Sequence, residues 1–390
     1  MKETQNGITI SKALMLMFIL MNFVLAMSSS IFNGILDQVA QEFSFTISQT
    51  GYLNSFYLYG AGIGVPIFLI LFRKYDRITL LKVMLALNII ATIALLFIRQ
   101  FIPMVSIRFL IGLAGNCYSV LATATIAALT PKEKLGSALS ILIAGSPAAN
   151  IIGVPMVRAF SHILSWQQNY MILIAIMVIS LLYFLLKLPA LHEDRVGFNL
   201  KEEFAWLKNK QVLIALLASL ITFFGYGLQT YLTPYVIALF PEMEEHMSFI
   251  LVLIGIFSFV GNYIGGVLCT RYGYYKSMLF GTALQAITAA LMLMTRHMAY
   301  ANIILILIWM MNAWLIGLEI NTSINIVTDR KSSFMVSLNS SGIQLGTAIG
   351  TSIAAGIISN IGIQWIPVTS LITALLVIVL MLTNLKHASR

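Results

Sequence analysis

The sequence predicts an all-α membrane protein with twelve transmembrane helices in two six-helix halves, and three observations carry that prediction. Of its 390 residues, 59% are hydrophobic and only 9% are charged, against about 25% charged in soluble domains. The apolar residues gather into about twelve continuous runs, each near the roughly 20 residues that a bilayer core demands of a helix. Several chemically distinctive residues recur at a fixed offset of 197 positions, as from Gly64 to Gly261.

The runs lie at 13–36, 47–72, 79–98, 101–126, 136–160, 168–188, 211–239, 247–270, 277–295, 300–325, 336–360 and 363–384. They are continuous, whereas the strands of a membrane barrel alternate apolar and polar residues over about ten positions, so a barrel is excluded. The first run follows a polar lead from Met1 to Lys12. Its apolar part is too long for a signal-peptide core, so it is expected to be retained as a span. Cys117 and Cys269 fall in different runs. They form neither a disulfide framework nor a metal-ligand cluster and read as packing residues.

The polar stretch 189–210 is the longest break and divides the chain into halves at 1–188 and 211–390. Within it, Asn199-Leu-Lys-Glu202 has the spacing of a capping box, and Phe198, Phe204, Trp206 and Leu207 alternate with Lys and Glu. A short helix lying on the membrane surface or an irregular linker both satisfy that pattern. The formal net charge of +9 concerns orientation rather than nucleic acid. Of the 23 Lys and Arg residues, 19 fall on the side of the N-terminus, Arg99, Arg158 and Arg296 on the other, and Arg108 inside a span. By the positive-inside rule both termini are cytoplasmic, in a multi-pass protein of the cell membrane.

The offset of 197 also pairs Lys74 with Arg271, Tyr75 with Tyr272, Gly145 with Gly342 and Gly153 with Gly350. Such repetition at corresponding spans is the mark of two halves related by an axis along the membrane normal, with a site between them near mid-bilayer.

Four passages carry a family resemblance. Gly266-Val-Leu-Cys-Thr-Arg-Tyr-Gly-Tyr-Tyr-Lys276 follows the loop pattern Gly-x-Leu-x-Asp-Arg-x-Gly-Arg-Lys, with Thr270 in the acidic position. Its counterpart Arg73-Lys-Tyr-Asp-Arg77 has Asp76 where the pattern has glycine. Arg108-Phe-Leu-Ile-Gly-Leu-Ala-Gly115 resembles an arginine motif of span four, and Gly145-Ser-Pro-Ala-Ala-Asn-Ile-Ile-Gly-Val-Pro155 a glycine-proline motif of span five. Ser165-Trp166 precedes span six as in a common Gly/Ser-Trp-Arg turn, with Gln167 replacing arginine. On these residues the chain resembles the major facilitator superfamily, in its twelve-helix branch of drug, sugar and metabolite exporters that exchange substrate for protons.

Proton exchange needs a group that can change charge inside the membrane, where an ionised side chain costs at least about 2.5–3.5 kcal/mol unless it is partnered or wet. Two residues stand clear of the loops, Arg108 and Glu319, in the corresponding spans four and ten. Glu319 is the candidate proton site; its alternative is a carboxylate solvated near the end of its span. The resemblance gives Arg108 a part in proton coupling or anion recognition, and its alternative is a structural arginine held by carbonyls. Depth along the two spans gives no reason to pair them.

The resemblance implies that the loops bearing Asp76, Arg77 and Arg271 latch the halves in one state, through salt bridges and a carboxylate at a positive helix N-terminus. Gly145 and Gly153, with Pro147 and Pro155, would let span five pack closely and kink during rocking. Static packing is the alternative reading of the glycines. Near mid-span stand Asn22, Tyr57, Asn150, Tyr226, Gln229, Asn312, Trp314 and Gln344. With Arg108 they are the candidate substrate contacts, suited to stacking and a few hydrogen bonds with an amphipathic molecule.

The expectation is a monomeric, proton-coupled exporter of small amphipathic drugs or metabolites. Its partners are the substrate, protons and the lipid bilayer, with no cofactor, metal or nucleic acid. An exporter of one sugar or metabolite is the alternative, and fold alone does not exclude an importer. An enzyme is disfavoured: His162, His192, His246, His297 and His387 all lie at span ends or in loops, without a catalytic motif.

Overall fold

A computed structural model describes residues 11–388, apart from 73, 132–133, 135–137, 140, 143–144, 189–199 and 329–331. The described residues form helices and no strands. Helix α1 spans Lys12–Phe43, opened by the Ser11 hydroxyl accepting from the Leu14 N–H and closed by Ser44 at φ 55°. It runs past position 36, the expected end of the first run, through Asp37, Gln38, Gln41 and Glu42. Asp37 is neutralised by Arg158, so the extra turns bury no unpaired charge.

Helix α2 (Ile47–Leu71) starts at a reciprocal capping box between Thr46 and Gln49, and α3 (Arg77–Phe97) at the Asp76 side chain. Helix α4 covers Phe101–Leu129. The fifth span, α5, is segmented into Gly145–Ala148, a π turn at Ala149–Gly153, and Val154–Ala159. Pro155 explains the widened turn: it has no N–H to give Ile151, and its ring would clash with that carbonyl in a regular helix. The Val154 N–H accordingly reaches back five residues to the Ala149 carbonyl. Helix α6 is Trp166–Lys187, begun by a capping box between Ser165 and Gln168.

A short helix at Leu200–Ala205 and a 3₁₀ turn at Trp206–Lys208 precede the second half. Phe204 meets Phe334 edge to face at 5.5 Å, so this segment docks on the protein. The capping position Asn199 lies outside the described residues. Helix α7, expected as one run, comes in three pieces, Lys210–Phe224, Gly227–Thr230 and Leu232–Leu239. The break at Tyr231 sits where Pro234 excludes regular bonding to Thr230. Then follow α8 (Met247–Tyr272), α9 (Tyr274–Met294), α10 (Ala299–Val327), α11 (Ser333–Asn360) and α12 (Pro367–Ala388). Ten helices of the described residues are long and apolar enough to cross a membrane. Helix α2 and the segmented α5 complete the twelve.

One core draws only on residues between Leu14 and Leu188. Two others lie wholly within the second half, and a third joins second-half residues with Leu36 and Val154. Helices α2 and α4 approach so closely that a Cβ on Gly112 would lie 1.9 Å from the Tyr57 carbonyl oxygen. In the repeat-related pair α8 and α10, a Cβ on Gly261 would lie 1.8 Å from the Met311 carbonyl oxygen. The two halves meet along α2 with α11 and along α5 with α8.

Polar contacts between the halves gather at the face opposite the start of α1. The Ser48 hydroxyl donates to the Ala355 carbonyl at 3.0 Å and accepts from Ser359 at 2.8 Å. Thr233 donates to the Asn33 carbonyl at 2.8 Å. Arg158 binds both carboxylate oxygens of Asp37 at 2.8 Å and reaches Glu244, across the interface, at 3.6 Å.

Candidate functional site

The two charged candidates occupy unlike settings. Arg108 is fully buried in the first half. Its guanidinium donates to the carbonyls of Leu53 (3.0 Å), Ser28 (2.8 Å) and Ser29 (3.3 Å), to the Tyr170 hydroxyl (3.1 Å) and to the Asn54 side-chain oxygen (3.2 Å). The rings of Tyr57 and Phe32 lie 4.7 and 5.0 Å from it. Five neutral acceptors and two ring faces thus hold the charge, and no carboxylate among the described residues pairs with it.

Glu319 is also fully buried, on α10. One carboxylate oxygen accepts from the Ser277 hydroxyl at the start of α9, and the other has no hydrogen-bond partner among the described residues. A buried carboxyl with one hydroxyl partner has few structural reasons to stand in an apolar span.

The uncharged candidates separate into structural and cavity-lining sets. Asn22 ties α1 to the Leu142 carbonyl at 2.8 Å. Asn312 donates to the Gly281 carbonyl at 2.6 Å and to Gln285 at 2.7 Å, and Tyr226 donates to the Ala313 carbonyl at 2.6 Å. Tyr57 lies against Arg108, and Gln344 is half-buried on α11. Asn150, Gln229 and Trp314 come together at a cavity system between the halves. Its larger chamber, about 260 Å³, is lined by Asn150 and Ile151 of α5, Gly255, Ser258, Phe259, Asn262 and Tyr263 of α8, and Trp314 of α10. A smaller one of about 40 Å³ shares Asn150, Ser258 and Trp314 and adds Asn33, Gln229 and Thr233. Asn22, Tyr57, Arg108, Tyr226, Asn312, Glu319 and Gln344 stand outside both linings.

Ser258, Asn262 and Tyr263 were missed from the sequence. The available signal was the i, i+4 spacing of Ser258 and Asn262, which sets two polar groups on one face of an apolar helix. Ser277 was missed because it stands at the head of its span, where serine is unremarked.

The gating candidates are placed as follows. Asp76 caps α3, accepting from the Thr79 N–H at 2.7 Å. Arg77 donates to the Ala124 carbonyl of α4 at 3.1 Å, and Arg271 is exposed with its guanidinium 5.4 Å from the Tyr272 ring. Gly145 and Gly153 lie against α1. Pro147 falls in the first piece of α5 and Pro155 opens its last. No cluster of three His, Cys, Asp or Glu side chains occurs among the described residues.

A sequence profile of the Major Facilitator Superfamily matches residues 18–331 and, in a second match, 247–390. A probable sugar efflux transporter of Pasteurella multocida is 23% identical over 370 residues, covering 93% of this chain and 90% of its own. A chloramphenicol resistance protein of Streptomyces lividans is 29% identical over 263 residues, 65% of this chain and 67% of its own. Among solved structures, the nucleoside transporter NupG superposes with a TM-score of 0.72 at 15% identity, over 97% of this chain and 99% of the other. At that identity the likeness is one of fold.

Proposed function

The chain belongs to the Major Facilitator Superfamily, and from that premise we propose that this multi-pass membrane transporter is a proton-coupled exporter of small amphipathic drugs or metabolites, working by alternating access. The observation that carries the reading is the chamber between α5, α8 and α10. It joins aromatic walls to a few amide and hydroxyl groups, the chemistry that holds an amphipathic molecule in a fixed orientation. The names of the two relatives, which concern efflux and drug resistance, support export.

Protons enter the scheme through Glu319. It is buried on α10 with the Ser277 hydroxyl as the partner of one oxygen and none for the other among the described residues, and opening of the aqueous path would bring it into contact with water. Arg108, caged by neutral acceptors, ties together α1, α2, α4 and α6. With the positive residues turned to the cytoplasm of a cell-membrane monomer, the face sealed by Ser48, Ser359, Thr233 and Arg158 is the outer one. The chain then rests closed to the exterior. A second reading, export of one sugar or metabolite, draws on the sugar efflux relative, whose match covers more of the chain.

Everted membrane vesicles holding a preformed proton gradient test both. Adding chloramphenicol, or in parallel a panel of monosaccharides, should partly collapse the gradient. Glu319→Gln should abolish that response while the protein remains folded and membrane-inserted. A fully active Glu319→Gln variant would remove Glu319 as the proton site, and no response to any compound class would count against proton-coupled export.

A further inference from the structure

The larger chamber has an outer wall that belongs to the membrane-facing surface. Phe259 and Tyr263 line it, yet they are 60% and 71% exposed. They continue a stripe with Phe249, Ile256, Val260 and Val267, all exposed and all apolar or aromatic, as a lipid-facing helix surface requires. The inner wall is Trp314, in the body of the second half, with Asn150 across the interface. Between those walls the chamber runs through the seam where α5 and α8 meet. The seam is tightest at Gly255, where a Cβ would lie 2.6 Å from the Cα of Ile151. About two turns further along α8, Asn262 and Tyr263 border the chamber.

Three polar groups in this chamber lack partners among the described residues, the exposed Tyr263 hydroxyl being one of them. The Asn262 amide makes no hydrogen bond among the described residues, although it lies inside a membrane span where such a group is costly to leave unmet. The Trp314 indole N–H makes none either. Ser258, by contrast, is satisfied by the Ile254 carbonyl at 2.7 Å. The chamber therefore offers the Asn262 amide and the Trp314 N–H and, at its exposed edge, the Tyr263 hydroxyl, set among aromatic and aliphatic walls. No Asp, Glu, Lys, Arg or His lines it or its smaller neighbour.

We propose that this chamber is the site of an electrically neutral, membrane-dissolved amphiphile, which enters sideways from the bilayer through the α5/α8 seam. Phe259 and Tyr263 form the portal, and Asn262 and Trp314 bind a carbonyl, amide or hydroxyl of the ligand. A cation or anion finds no countercharge there and would have to shed its hydration, so the site selects against both. A neutral ring system with one or two polar atoms loses little on leaving lipid and gains hydrogen bonds to Asn262 and Trp314. The proposal rests on the transporter reading for its purpose, but binding and route are measurable without turnover.

The full chain in lipid nanodiscs gives the test. Lipids brominated at mid-chain should quench the part of the tryptophan emission that is lost in Trp314→Phe, because acyl tails reach the portal. Nile red, a neutral lipophilic probe, should relieve that quenching and bind saturably. The cationic probe trimethylammonium-diphenylhexatriene should do neither. Asn262→Ala should weaken Nile red binding about tenfold, equivalent to one lost hydrogen bond of about 1.4 kcal/mol. Asn262→Leu, which keeps the bulk, should do the same. Absence of Trp314 quenching overturns the lateral route, and equal binding of the cationic probe overturns the neutral class. Quenching that Nile red does not relieve means that a lipid tail is the occupant, which also overturns the proposal. Nile red binding without export in vesicles would sink the exporter reading and leave this site standing, whereas proton-coupled export with an unquenched Trp314 would do the reverse.

Discussion

Arg108 and Glu319 look alike in the sequence, each a lone charge in an apolar span, and the structure gives them opposite surroundings. Arg108 has a full complement of acceptors, while Glu319 has one hydroxyl. The difference was illegible because Arg108's acceptors are mainly backbone carbonyls, which any residue type supplies. Glu319 itself was legible, since a carboxylate among Leu, Ile and Gly has few reasons to be there. Glycine at 112 is a residue-scale requirement of another kind. The α2–α4 crossing leaves no room for a methyl group against the Tyr57 carbonyl. Gly112→Ala should therefore cost about 1–3 kcal/mol through overpacking, read as a lowered thermal midpoint of the purified protein in detergent. An unchanged midpoint would mean that the two helices can part without loss. Because Tyr57 also flanks Arg108, the same substitution presses on the arginine's cage.

At the scale of elements, the twelve runs were plain from hydropathy, and their interruptions were not. The proline positions were visible, but their consequences depend on neighbours. Pro66 lies inside a continuous α2, whereas Pro155 accompanies a π turn and Pro234 a break at Tyr231. Helix α1 outran its apolar stretch because Arg158, 121 positions away, neutralises Asp37. No local pattern contains that partner. The π turn in α5 sits beside Gly255 of α8 and carries Asn150 into the chamber, so it joins backbone irregularity to the candidate site. Pro155→Ala restores an N–H that can bond the Ile151 carbonyl. Amide exchange over 149–159 should slow about fivefold, the effect of about 1 kcal/mol from one added hydrogen bond, and transport should slow with it. Exchange that stays at the wild-type rate would show that the wide turn is imposed by packing against α1 and α8 instead.

For the whole molecule, the residues that recur at the offset of 197 take matching places, Gly64 packing against Leu113 of α4 and Gly261 against Met311 of α10. What the repeat did not reveal is the seal between the halves. Ser48, Ser359, Asn33, Thr233 and Glu244 are ordinary polar residues near span ends, and only the folded chain brings them together. Opening that face must separate Ser48 from Ser359, which now lie 2.8 Å apart at their hydroxyls. Ser48→Cys combined with Ser359→Cys, in a Cys269→Ser background, should oxidise to a cross-link that lowers transport to background. Dithiothreitol should restore it. Full cross-linking with undiminished transport would mean that this face never opens during the cycle.

That no Asp, Glu, Lys, Arg or His among the described residues lines the chamber has an electrical consequence. On the proposed reading, with a neutral passenger leaving in exchange for one proton, the cycle would carry one net positive charge inward. The membrane voltage then drives the exchange alongside the pH difference, at about 2.3 kcal/mol per 100 mV. By itself that sustains a gradient of roughly fiftyfold. Such a pump keeps working in a cell whose surroundings match its internal acidity, and stalls when the membrane is depolarised and the pH difference is gone.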